Sequence, residues 1–507
     1  MDKHRMNRIV IWVMICNALV AVAAFLKDVL LARYVGTTSE ADAFTVAYFI
    51  TDTIASSWLA ASLGAAGVTV YAKMSSENAA VSRNEIWNKS ALLFFALGLA
   101  STVLLMLATA ALLPPGLLRT LTNMMAPTIV IFSLFAALSA RLQAANRFVV
   151  PAAAPLIMHG TFLAAAVFVT LSGMPEWRGL QWIAFSVTAG AFGTLLFTAI
   201  AGRKPESEHK EAGEPADASV RNRWLKEIWK IFGAYSVLVI SGQAVLFWER
   251  ALAASLDVGV VSSLNYAYRI SQVPVWIFAT AAASVMLPKL SKLWMDNRLD
   301  EARKYTIHML QLVFIVSLPV MLSLWLLSEP VVAVLFQRGA FRWHSVLLTS
   351  DMLRGYAFSL LGHSVSAIFI RYWLASGKTV QPACLVLIST LATVVFQLAL
   401  VNRIGASGIG YGAAAGATLQ GVLLAIPLLK NKKVPFRAGN VRAVVPAAVS
   451  LCLVLIAALY FWKSFSLKES EGPRIAFLFI TFAFGFSVYT LFVRKIIVRI
   501  AGEENST

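Results

Sequence analysis

Residues 9–31 read IVIWVMICNALVAVAAFLKDVLL, and this run decides the fold class. A hydrocarbon core about 30 Å thick takes roughly 20 apolar residues of helix, which the stretch supplies. It follows directly on a charged N-terminus, lacks a small-residue cleavage site and is too long for the apolar region of a signal peptide, so it reads as a first membrane span. Working outward, similar runs recur near 43–71, 91–113, 126–142, 152–171, 180–201, 231–254, 264–287, 309–327, 353–374, 383–401, 409–429, 444–462 and 475–493. The expectation is an all-α polytopic membrane protein of about fourteen transmembrane helices. Composition agrees: with 59% hydrophobic and 13% charged residues, against roughly 25% charged in soluble domains, the chain is excluded from the water-soluble class.

The formal net charge of +18 raises nucleic acid as a partner, and the placement of the charge argues against it. Basic residues gather in alternate connections: the N-terminus, 73–89, 141–147, 203–230, 289–304, 371–378, 430–442 and the C-terminal Arg494, Lys495 and Arg499. The loops between are poorer in Lys and Arg, which by the positive-inside rule puts both termini in the cytoplasm and makes the number of spans even. Cys16, Cys384 and Cys452 lie far apart in apolar runs, which argues for packing rather than a disulfide or metal cluster.

An internal repeat divides the chain. Ala144-x-x-Arg147-x-x-x-Pro151-Ala152 returns as Ala375-x-x-Lys378-x-x-x-Pro382-Ala383, and Lys27-Asp28-x-Leu30-x-Ala32 is echoed by Glu249-Arg250-x-Leu252-x-Ala254. The reading is a six-helix lobe over 1–202, a charged cytoplasmic linker over 203–230, a second six-helix lobe over 231–430, and two extra C-terminal helices over 431–507. Because each lobe crosses an even number of times, the two should be related by a pseudo-two-fold axis along the membrane normal. Such a plan puts a substrate path between lobes that rock against each other.

A charged side chain at mid-bilayer costs roughly 2.5–3.5 kcal/mol, so each one retained needs a partner, water or an interface. The candidates are Lys27 and Asp28 in span one, Asp52 in span two, Glu249 and Arg250 in span seven, Arg269 in span eight and Arg354 in span ten. Snorkelling or local ion pairs would also account for Lys27-Asp28 and Glu249-Arg250. Arg269 stands on a polar helical face with Asn265 at i−4 and Gln272 at i+3, as a cavity-lining stripe would. Guanidinium forks suit phosphate oxygens, so the set points to an anionic cargo such as a lipid diphosphate. Asp52 fits either a cation or proton site or an exposed or paired carboxylate, and His363 either a proton shuttle or packing. The chain has no phosphate loop, zinc motif or paired carboxylates, so no metal site, cofactor or enzymatic activity is expected, and Gly405 to Gly410 reads as a tight turn before span twelve.

Several stretches resemble the MurJ (MviN-like) lipid II flippases of the multidrug/oligosaccharidyl-lipid/polysaccharide exporter superfamily. They are Lys27-Asp28-Val29-Leu30-Leu31-Ala32-Arg33-Tyr34-Val35-Gly36 with Glu40-Ala41-Asp42-Ala43-Phe44; Asn146-Arg147-Phe148 with Pro151 and Pro155; Tyr266-Ala267-Tyr268-Arg269; Leu287-Pro288-Lys289-Leu290-Ser291; Leu335-Phe336-Gln337-Arg338-Gly339-Ala340-Phe341; and Gly405-Ala406-x-Gly408. The resemblance implies a transporter that moves an undecaprenyl-diphosphate-linked peptidoglycan precursor by alternating access. Carried over onto this sequence, the resemblance sets Lys27 in the place of a basic residue before the motif Asp, here Asp28, Asp42 in that of the Asp of the Ala-Asp-Ala-Phe turn, and Arg269 in that of a cavity arginine of span eight. Joined to the charged and polar residues read above, the expected substrate-binding set is Lys27, Asp28, Arg250, Arg269 and Arg354, supported by Asp42, Asp52, Glu249, Asn265 and Gln272. Implied partners are the lipid-linked anionic substrate, membrane lipids and cell-wall synthesis proteins, and coupling to an ion gradient or the membrane potential is left open. Where the family usually has an arginine earlier in span one this chain has Ala21. In place of an Arg-Arg pair followed by Ala-Glu-Gly in span two it has Ala55-Ser56 and Leu59-Ala60-Ala61. A carrier of another polyprenyl-linked oligosaccharide, a cation-coupled drug exporter and a non-transporting scaffold are the competing readings.

Overall fold

The structure, a computed structural model, describes residues 3–76, 83–202, 218–275, 280–378, 380–429, 438–464 and 471–505. Every element among the described residues is helical. By its internal contacts the chain divides into two compact units, Met1–Phe247 and Trp248–Thr507. The first holds α1 (Lys3–Val35), α2 (Ser39–Asp52), a π-helical segment (Thr53–Ala60), α3 (Ala61–Ser76), α4 (Arg83–Leu112), α5 (Leu117–Met125), α6 (Thr128–Ala144), α7 (Val149–Ala153), α8 (Pro155–Ser172), α9 (Glu176–Gly202) and most of α10 (Ala218–Ala254). The second holds the end of α10, then α11 (Val260–Pro274), α12 (Thr280–Met295), α13 (Leu299–Leu326), α14 (Ser328–Phe336), α15 (Trp343–Ala375), α16 (Val380–Ile404), α17 (Ser407–Leu429), α18 (Ala438–Ser464) and α19 (Glu471–Asn505).

Among the described residues thirteen helices are long and apolar enough to cross a membrane. The expected eighth span, 264–287, corresponds to α11 and α12, on either side of residues 276–279, which lie outside the described residues. Of the expected linker 203–230, residues 203–217 lie outside the described residues, and 218–230 are the opening turns of α10. One face of those turns is docked and the other, with Arg223, Lys226 and Lys230, is exposed. Trp224 and Ile228 enter the apolar cluster formed by Met74, Ile86, Phe94 and Phe132, while Arg221 and Lys73 reach Glu85 and Glu227, both at 3.0 Å. The boundary between the units falls inside α10, at Phe247/Trp248.

The repeat is visible element by element. A nine-residue helix precedes the fourth long helix of each unit, α5 before α6 and α14 before α15. In both copies of the Ala-x-x-basic motif the residue before the basic side chain turns left-handed, Asn146 at φ 59° and Gly377 at φ 73°. Arg147 then donates to the carbonyls of Ala201 and Gly202, both at 2.8 Å, and satisfies two orphan acceptors at the end of α9.

Close helix packing in the second unit depends on glycine. A Cβ at Gly355 on α15 would lie 2.5 Å from the backbone nitrogen of Tyr411, and one at Gly412 would lie 2.5 Å from Gln397 Cγ. With Gly408 and Gly416, Gly412 forms a stripe at every fourth position that lets α17 seat on α16, the small-residue device of membrane helix pairs. The two C-terminal helices pack on each other and on α13, where Tyr489 donates to the carbonyl of Ile315 at 2.9 Å.

Candidate functional site

The site is built from charged pairs that each unit buries on its own. In the first unit Lys27 and Asp28, on α1, are 3% and 2% exposed. Their charges face each other at 3.8 Å, too long for a hydrogen bond. The ammonium also meets aromatic faces, 3.7 Å from the ring centroid of Tyr48 on α2 and 5.4 Å from that of Phe162 on α8. Phe44, Tyr48 and Phe162 form a ring trio with centroids 6.1 to 6.4 Å apart. A desolvated cation–π contact is worth about 2 kcal/mol, close to the insertion cost of the charge, so the rings offset much of the cost of keeping Lys27 inside the protein.

In the second unit Glu249 and Arg250, neighbours in sequence on α10, are 2% and 6% exposed and turn to different partners. Glu249 accepts from the Tyr356 hydroxyl at 2.8 Å on α15 and from Gln397 Nε2 at 2.9 Å on α16. Arg250 places its guanidinium carbon 5.8 Å from the ring centroid of Tyr268 on α11, and that ring meets Tyr356 edge-on at 5.8 Å. Arg269, half-buried on α11 one residue beyond Tyr268, lies close enough to Arg250 for their like charges to interact. Asn265 is half-buried and Gln272 buried on the same helix.

The remaining expected residues sit elsewhere. Arg354 donates to Ser328 Oγ at 3.0 Å and to Asp351 at 2.8 Å, and it approaches Glu329 at 4.0 Å, a local network of α14 and α15. Asp42 stands in the acidic first turn of α2, where Thr38 caps the helix by accepting from the Ala41 N–H; there a carboxylate complements the helix dipole. Asp52 closes α2, half-buried, with the Ser56 hydroxyl 2.8 Å from its Oδ1. His363 is half-buried on α15.

The charged members of the site stood out in the sequence, and their partners Tyr48, Tyr268, Tyr356 and Gln397 did not. A signal for two of them was present. Ala47-Tyr48-Phe49-Ile50-Thr51 on α2 matches Ala267-Tyr268-Arg269-Ile270-Ser271 on α11, so a tyrosine at one repeat position covers the cation of its own unit, Lys27 in one and Arg250 in the other.

The Burkholderia cenocepacia lipid II flippase MurJ is 27% identical over 424 residues, covering 81% of this chain and 81% of that protein. The probable lipid II flippase MurJ of Rhizobium meliloti is 24% identical, covering 88% of this chain and 85% of its own. Among solved structures, a lipid II flippase MurJ in an inward closed conformation superposes with a TM-score of 0.71 at 19% identity, over 96% of this chain and all of that one. An inward-facing multidrug resistance MATE transporter of the MOP superfamily superposes at 0.68 with 16% identity, over 82% of this chain and 96% of that one, and so shares the fold. The family model for lipid II flippase MurJ matches residues 31–482, which takes in Arg250, Arg269 and their partners in the second unit and Tyr48 and Phe162 in the first; the chain belongs to the lipid II flippase MurJ family.

Proposed function

We propose that this protein carries lipid II from the inner to the outer leaflet of the bacterial plasma membrane by alternating access, with both termini on the cytoplasmic side. The observation that carries the reading is the family match over residues 31–482, on a chain whose membrane helices divide into two repeated units. No covalent bond changes in such a reaction. The protein's task is to give a charged headgroup a path through a medium that excludes it.

Arg250 and Arg269 in the second unit, with Lys27 in the first, supply the positive charge a diphosphate needs, and Arg269 is the least covered of the three. Arg354 and Asp28 complete the binding set, and Asp42, Asp52, Glu249, Asn265 and Gln272 support it. Coupling to an ion gradient or to the membrane potential would drive the cycle, since one charge crossing 100 mV gains about 2.3 kcal/mol, enough to bias a conformational equilibrium roughly fiftyfold. Cell-wall synthesis proteins are the partners such a carrier would serve. A different polyprenyl-linked oligosaccharide is the second reading, favoured by Ala21 in span one and Ala55-Ser56 in span two, where the family usually carries arginines.

Depletion of the protein is expected to make lipid II accumulate in the inner leaflet; accumulation of another lipid-linked saccharide would shift the cargo to the second reading. In complementation, Arg269→Ala should lose activity and Arg269→Lys should keep part of it, because a lysine offers the charge without the fork. Full activity of the alanine variant would remove Arg269 from the mechanism.

A further inference from the structure

Tyr48, Asp52 and Ser56 succeed one another at every fourth position down span two, so they lie on one helical face. At its upper end this face already holds an ammonium, that of Lys27 on the Tyr48 ring. One turn further on, about 6 Å along the axis, is Asp52. The Ser56 hydroxyl lies 2.8 Å from Asp52 Oδ1 and 2.9 Å from its carbonyl oxygen. Among the described residues no basic side chain pairs with this carboxylate and no donor reaches Oδ2.

Its depth makes that arrangement informative. Asp52 stands ten residues beyond Asp42, about 15 Å along the helix and inside the apolar run expected to form the second span, in its outer half. A half-buried carboxylate at that level cannot face acyl chains and must face a polar space. The helix changes to π geometry at the next residue, over Thr53–Ala60, a departure from the α-helix that accompanies functional positions. At the equivalent repeat position the second unit has Gln272, which keeps hydrogen-bonding capacity and lacks the charge. A negative acceptor repels phosphate, so its complement on the cargo is a cationic donor.

We propose that Asp52, oriented by Ser56, determines specificity by receiving a primary ammonium carried on the cargo's headgroup. The inference rests on the lipid-linked cargo proposed above. The diphosphate belongs to the cations, and the ammonium to the open oxygen of Asp52.

The test uses the full-length protein in lipid nanodiscs with two probes, an undecaprenyl-diphosphate-linked disaccharide bearing a lysine-containing peptide and the same lipid after N-acetylation of the amine. The protein should bind the free-amine lipid about tenfold more tightly, the worth of one charge-assisted hydrogen bond. In Asp52→Asn, which keeps the shape and the Ser56 contact, that ratio should fall to about one, and in Ser56→Ala to about three. Equal binding of the two lipids by the unaltered protein overturns the proposal while leaving the cargo assignment standing. So does an unchanged ratio in Asp52→Asn, including the case where both lipids weaken together as a proton-carrying role would require. Failure of the unaltered protein to bind either lipid overturns the cargo assignment, and this inference with it.

Discussion

At the scale of single residues, Lys27 shows how a membrane protein keeps a charge that its surroundings disfavour. The Tyr48 ring is 3.7 Å from the ammonium and the neighbouring carboxylate 3.8 Å, so quadrupole attraction in a buried setting adds to the ion pair. Tyr48→Leu should therefore lower stability by about 1–2 kcal/mol, and Tyr48→Phe, which retains the π face, by less than half of that. Thermal unfolding of the purified protein in detergent measures both; equal losses would mean that the hydroxyl, not the ring, holds the site. Lys27, Arg250 and Arg269 were legible in the sequence because a charge inside an apolar run is too costly to keep there without a partner or a polar space. Tyr48, Tyr356 and Gln397 were not, because an aromatic or amide residue within a span is compatible with packing, the lipid interface or a site. Only the distances to Lys27 and Glu249 separate these roles.

At the scale of elements, the same distinction separates helix existence from helix contact. Hydropathy located the long helices, because each must span the hydrocarbon core with its backbone bonds satisfied internally. It passed over α5 and α14, which are too short to cross, and it read 203–230 as a connector because charges dominate that stretch. The apolar Trp224 and Ile228, one turn apart, let residues 218–230 lie on the first unit instead. The Gly405 to Gly410 stretch read as a turn is one in part, with Gly405 at φ 64°, but Gly408, Gly412 and Gly416 serve helix contact. The prediction at this scale concerns α15 against α17. Gly355→Val would push a side chain into the backbone of Gly410 and Tyr411 and should cost about 1–3 kcal/mol or prevent folding. Gly160→Ala, on a helix surface with nothing within 4 Å, should be neutral or stabilising by up to about 1 kcal/mol. Unfolding midpoints of the two variants decide it, and a tolerated valine at 355 would show that α15 and α17 can separate without loss.

At the scale of the whole molecule, the alternation of basic loops predicts a topology that chemical labelling can read. Ser39, the first residue of α2, and Lys378, between α15 and α16, are both exposed. A cysteine at 39 should react with a membrane-impermeant maleimide in intact cells, and one at 378 only after the membrane is opened, because Lys- and Arg-rich connections stay inside. The reverse pattern would invert the orientation and with it the direction of transport. By itself the sequence determined that the chain is a multi-span helical protein with a repeated plan, and which charges fall inside its apolar runs. Those properties follow from transfer free energies and periodicity, which act residue by residue along the chain. The tertiary structure alone decided that Lys27 rests on Tyr48, that Glu249 and Arg250 turn to separate partners, and that α10 docks by Trp224. Each of those depends on which faces of distant segments meet, and the hydropathy of a helix is nearly the same whichever face it turns inward.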